Sequence, residues 1–144
     1  MRAVVQRGRE GIRWMVPVFW LLGVANLSSG LWMLFAPEHW FQNLPAGVPD
    51  TGPFNQHFVR DVGASFATIG VAFLAAAPQA RKRRGVLLGA TLFYLLHSLV
   101  HVADLVTGRL HESHWGMDFP LVFLPTMLLI LLALPIWWPQ REAQ

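Results

Sequence analysis

Leu121-Val122-Phe123-Leu124-Pro125-Thr126-Met127-Leu128-Leu129-Ile130-Leu131-Leu132-Ala133-Leu134-Pro135-Ile136-Trp137-Trp138 contains no charged residue and one hydroxyl. Coiled into a helix, this stretch has no polar face to meet water, which excludes a surface helix of a soluble bundle. With Asp118 at its start it forms an apolar block at 118–138, and three more blocks lie at about 14–36, 57–77 and 86–107. Each is close to the roughly 20 residues needed to cross about 30 Å of hydrocarbon. The composition agrees, being 54% hydrophobic and 13% charged, with a mean hydropathy of +0.43; about a quarter of a soluble domain is charged. The expected fold is all-α, a single domain over 1–144 forming an integral membrane bundle of four transmembrane helices. The first block is longer than a signal h-region, and Leu34-Phe35-Ala36 before Pro37 lacks a small-x-small cleavage pattern, so it is read as a span.

Orientation follows from the basic residues, which are retained on the cytoplasmic side. Arg2, Arg7, Arg9 and Arg13 precede the first span, Arg81, Lys82, Arg83 and Arg84 fill the loop after the second, and Arg141 follows the fourth. Only Arg60 and Arg109 fall on the other side. Both termini are therefore expected inside, with loops at about 37–56 and 108–117 outside. The net charge of +3 and the pI of about 10.6 have the same origin. Basic residues at membrane borders meet anionic headgroups, so nucleic acid is not an expected partner. Ten Arg against one Lys, with abundant Ala, Leu and Gly, suits a GC-rich bacterial genome and a bacterial inner membrane. Zero cysteines exclude disulfides, iron–sulfur clusters and thiolate metal sites.

The outer loop 37–45 mixes aromatics and polar residues between prolines, an interfacial segment; Thr51 or Asn55 is the expected cap of the second helix. Ala64, Thr68, Ala72 and Ala76, with Gly63 and Gly70 alongside, give that helix a small-residue stripe for close packing in lipid. Arg60 and Asp61, just above it, are read as pointing into the bundle or, alternatively, snorkelling to water. In the third block Ala90, Tyr94, His97, His101, Asp104 and Gly108 share one face, apolar at its inner end and ionisable at its outer end. Gly108 suits the C′ position. Asn26 and Thr68 lie at the depth of His97, so these polar groups, with Arg60 and Tyr94, are candidates for interhelical hydrogen bonds or a polar relay. Trp115 is expected to anchor at the interface and Pro125 to kink the fourth span. Asp118 is read either as the cap of the fourth helix or as part of a site.

All six histidines, His39, His57, His97, His101, His111 and His114, fall in the outer half or the outer loops. Ionisable groups at membrane depth are costly and mark functional sites. His57, Asp61, His101, Asp104, His114 and Asp118 form the candidate metal set, because imidazole and carboxylate at i, i+3 or i+4 offer two ligands to one point. Nitrogen and oxygen donors without sulfur suit zinc, iron, manganese or copper(II). Haem is a further possibility, with His57 supplying a second axial ligand beside His97 or His101.

Four spans with cytoplasmic termini, and Arg60-Asp61-Val62-Gly63 opening a small-residue second helix, resemble the DoxX-like group of small bacterial membrane proteins. The resemblance implies a bacterial inner-membrane protein associated with redox enzymes and transfers no catalytic residue. His97-Ser98-Leu99-Val100-His101 also resembles the boxes of membrane desaturases, which lie on the cytoplasmic side and are more numerous. Small multidrug transporters are of similar size, but their acidic residue within the first span has no counterpart between Trp14 and Ala36. Three function classes follow: a metal-dependent, redox-associated membrane protein; a small-molecule-binding or accessory subunit without metal; and a proton-coupled transporter with Asp61, His97 and Asp104 as relay. The bilayer is the expected surrounding, with a second copy or another membrane protein as possible partner.

Overall fold

The computed structural model describes residues 15–137. The chain is all-α, and four helical segments are long and apolar enough to cross a membrane: Met15–Phe35, Gln56–Ala76, Ala80–Val106 and His114–Leu134. We number the elements α1 (Met15–Phe35), α2 (Pro37–Asn43), a 3-10 turn (Val48–Thr51), α3 (Gln56–Ala76), α4 (Ala80–Val106), α5 (His114–Asp118), a π turn (Phe119–Phe123) and α6 (Leu124–Trp137). Arg2, Arg7, Arg9, Arg13, Trp14, Trp138 and Arg141 lie outside the described residues. The described chain divides into two compact units. One joins the chain up to Pro37 with Gln56–Val86, and the other joins Glu38–Asn55 with the chain from Leu87 onward.

The first unit is a pair of closely packed helices. A methyl added at Gly30 would land on the backbone nitrogen of Ala67, and one at Gly70 on that of Leu27. A methyl at Gly63 would sit 2.6 Å from the Met33 Cβ. Glycine is therefore required on both helices for the backbones to approach this closely. Phe19 and Phe73, both fully buried, pack edge to face with centroids 5.1 Å apart.

The contact face of α3 runs along Gly63, Ala67, Gly70 and Leu74, a correction to the expected stripe. Strict four-residue spacing drifts by about 40° per step around a helix of 3.6 residues per turn. Ala64 and Thr68 accordingly are exposed, Ala72 is half-buried, and only Ala76 reaches the buried side. Arg60 and Asp61 are also exposed rather than turned inward. The Arg60 guanidinium donates to the Leu34 carbonyl at 3.1 Å, satisfying one of the free acceptors at the end of α1.

Arg81, Lys82, Arg83 and Arg84 are not in a loop but in the first turns of α4, which starts at Ala80. Arg83 is buried there, and its Nε and Nη2 donate to the Ala77 carbonyl at 3.1 and 2.6 Å. The bend between α3 and α4 is thus fastened by a side chain that composition reads only as a topological charge.

In the second unit the α4 segment from Leu87 onward meets the fourth crossing through hydroxyls as well as apolar groups. Ser98 and Thr126 are 2.7 Å apart, and Thr126 donates to the Val122 and Tyr94 carbonyls at 2.8 and 3.1 Å. Single hydroxyls in apolar runs carry no periodic signal, so neither contact is legible in the sequence.

The fourth crossing begins at His114 rather than at Asp118, and its buried residues are His114, Asp118, Val122, Thr126, Leu129 and Ala133. The first four are spaced by four. In a regular helix twelve residues would end about 120° past three full turns, but the extra residue of a π turn cuts this to about 20°. The Leu124 amide donates to the Phe119 carbonyl, five residues back, which closes that turn. Pro120 within it lacks an amide hydrogen. The break in the α pattern therefore falls at Phe119–Phe123, just before Pro125, and it keeps the parts of the helix before and after it on one face.

Candidate functional site

Three segments of the second unit converge at one end of it. Gly108, with φ +70, ends α4, and the Arg109 and Leu110 amides turn back to the Asp104 carbonyl at 2.9 and 3.3 Å. The expectation for Gly108 is met. His111 then caps the next turn: the Ser113 amide donates to its Nδ1 at 3.2 Å. This starts α5 so that His114 and Asp118 fall one turn apart on the buried face, each 1% exposed.

Asp118 makes no side-chain cap bond, so the cap reading is set aside. Its Oδ2 is 2.8 Å from His101 Nδ1 on α4, with one hydrogen between them. Its Oδ1 faces His114 Nδ1 at 3.8 Å, too far for a hydrogen bond, and neither atom has a partner. The other nitrogen of His114, Nε2, is 3.1 Å from the Asp50 carboxylate. His101 is 19% exposed and Asp50 65%. The order Asp50, His114, Asp118, His101 is thus an alternating line of carboxylates and imidazoles. It continues to His97, whose ring lies 4.8 Å from that of His101 and stacks on Phe93.

Proton bookkeeping along this line is tight. A neutral imidazole has one N–H and one lone pair. Protonated at Nε2, a neutral His114 donates to Asp50 and turns its Nδ1 lone pair toward Asp118; protonated at Nδ1, it accepts from Asp50 and turns a hydrogen toward Asp118. The imidazolium presents a hydrogen to both.

Asp50 enters through the loop after α2. Gly47, at φ +60, opens the 3-10 turn, and the Asp50 amide donates to its carbonyl at 2.9 Å. A methyl at Gly47 would come within 2.9 Å of His114 Cε1, so only glycine lets the loop lie on the imidazole. No sequence pattern points to Asp50, because its partner lies 64 residues away and no local spacing reports that contact. In the same loop Thr51 bonds the Val48 carbonyl and does not start α3, which begins after Asn55. Upstream, α2 buries Phe41 against Phe54 and leaves Glu38, His39, Gln42 and Asn43 exposed.

Of the six candidate metal ligands, His101, His114 and Asp118 are brought together. Asp104 is drawn off by Arg109, whose Nη1 donates to its carboxylate at 3.1 Å. His57 and Asp61 pair with each other in the first unit, 3.3 Å apart and both exposed, an arrangement worth at most about 1 kcal/mol. Asn26 and Thr68 donate to the Leu22 and Ala64 carbonyls of their own helices, each at 2.8 Å. Among the described residues no group of three or more His, Asp or Glu side chains is arranged to hold a metal ion. Comparison with known proteins finds no matching family model, no matching curated relative and no matching solved structure.

Proposed function

We propose that this chain is a multi-pass membrane protein that conducts protons, alone or coupled to a solute, through the line formed by His114, Asp118 and His101. The observation that carries the reading is the buried Asp118 carboxylate, one oxygen bonded to His101 and the other facing an unpartnered nitrogen of His114. Ionisable groups sealed in an apolar bundle are expensive and mark proton pathways in membrane proteins. Asp118 starts as the carboxylic acid, its O–H on Oδ2 bonded to the Nδ1 lone pair of a His101 protonated at Nε2. A proton leaving the His114 imidazolium at Nδ1 forms an O–H bond at Oδ1 and leaves its electron pair on the nitrogen. The Oδ2 proton passes to His101 Nδ1 and makes that ring the imidazolium. Asp118 carries one proton before and after the step. The 3.8 Å gap is the step at which a small side-chain movement makes or breaks the line.

The test is proton uptake into vesicles holding the purified protein and an enclosed pH-sensitive dye, driven by a potassium diffusion potential. Wild type should exceed empty vesicles, and Asp118→Asn should not. Wild-type flux equal to that of empty vesicles overturns the reading.

A metal centre is the second reading, and the same pair of atoms favours it. Two ligands at about 2.1 Å from one metal can be separated by such a gap, and His114 Nδ1 and Asp118 Oδ1 are both free of other bonds. A third side-chain ligand is not in place. Metal analysis of the purified protein decides it. Cytoplasmic termini, the bacterial inner membrane, membership of the DoxX-like group and assembly with a second copy or another membrane protein belong to the same proposal. The basic residues flanking the spans support the orientation, and the opening of α3 supports the DoxX-like membership.

A further inference from the structure

We infer that Asp50 is the port through which the line exchanges protons with the aqueous phase, and that Gly47 positions it. The inference rests on the proton-conduction reading and names its point of access. His114 and Asp118 are each 1% exposed, so neither exchanges protons with water directly. Asp50 is 65% exposed and bonded to His114 Nε2 at 3.1 Å, which joins solvent to the sealed pair. The charged and titratable groups facing His114 are Asp50 from the loop and Asp118 from its own helix, with His101 and then His97 behind Asp118 on α4. Arg109 and Asp104 are occupied with each other.

The chemistry is a proton hand-over. Water-borne protons load the Asp50 carboxylate; His114 in its Nδ1–H tautomer takes that proton from Oδ2 at the Nε2 lone pair, becoming the imidazolium, and releases its Nδ1 proton toward Asp118. Both ring nitrogens are aimed for this, one at each carboxylate. Gly47 holds the geometry, since its backbone places the loop against the imidazole at a φ of +60 that other residues rarely adopt. It is a positioning residue, and Asp50 is the group that carries the proton.

The absence of native cysteine makes the test clean. Asp50→Cys should lower proton flux in the vesicle assay by about a hundredfold, the smaller end of what a positioned proton donor supplies. Alkylation with iodoacetate restores a carboxylate at that exposed position and should restore most of the flux. Iodoacetamide, which adds an amide of the same size, should not. Gly47→Ala should lower flux with Asp50 intact. Asp118→Asn is the reference for loss of the line itself. If Asp50→Cys keeps wild-type flux while Asp118→Asn abolishes it, the port is elsewhere and the conduction reading stands. Equal effects of the two alkylating agents also overturn the port, because charge would then be irrelevant. If both variants keep wild-type flux, the conduction reading fails and the port with it.

Discussion

His114 Nδ1 and Asp118 Oδ1 face each other across 3.8 Å, both fully sealed and neither hydrogen-bonded. A buried carboxylate flanked by imidazoles is stable only while its partners remain, because an unpaired charge keeps the whole cost of leaving water. Asp118→Ala should destabilise the protein by about 3 kcal/mol, measured as reversible unfolding in mixed detergent. Asp118→Asn, which retains an acceptor for His101, should cost clearly less. Equal losses would show that the pairing with His101 contributes little.

Close approach of α1 and α3 rests on three glycines. Gly30→Ala or Gly70→Ala forces a methyl onto opposing backbone and should cost about 1 to 3 kcal/mol. Gly89→Ala on α4, where an added methyl meets nothing within 4 Å, should be neutral or slightly stabilising. Thermal transitions in detergent compare the three, and a neutral Gly30→Ala would place this helix pair incorrectly.

The π turn makes an unusual prediction about chain length. Deleting Leu121 turns the buried spacing of the fourth crossing from 4, 4, 4, 3, 4 into 4, 3, 4, 3, 4, the pattern of a regular helix. It should therefore be tolerated. Deleting Leu128 moves Leu129 and Ala133 off the buried face and should unfold the second unit. Circular dichroism on heating separates these outcomes.

Arg83 and Arg81 are neighbours in sequence and unlike in role. Arg83→Met removes both donors from the Ala77 carbonyl and should cost about 2 kcal/mol. Arg81→Met, at an exposed position, should fall within about 0.5 kcal/mol of wild type. Chemical unfolding of the two variants checks this.

For the membrane orientation, Glu112 and Lys82 are the informative positions, since both are exposed whereas His114 is sealed. Glu112→Cys should react with an impermeant maleimide added to intact cells, and Lys82→Cys should not. The opposite pattern would put the line on the cytoplasmic side.

The membrane-spanning character and the four crossings are legible in the amino-acid order alone, because an apolar run of some twenty residues has one low-energy solution in lipid, the helix. The same order sets the turn at Gly108, a local matter of φ, and the shared face that leads from Ala90 and Tyr94 to His97 and His101. It also picks out His101, His114 and Asp118. Which polar groups meet is set by the packing of the folded chain. Asp50 reaches His114 across 64 positions of sequence, Arg109 draws Asp104 away, and the packing face of α3 rotates from Ala64 and Thr68 to Gly63, Ala67 and Gly70. The physical reason is common to all three. Spacing along a helix fixes which side chains share a face, but the direction of that face and its partner are set by backbone approach and by one-residue changes of phase such as the π turn, which no local pattern records.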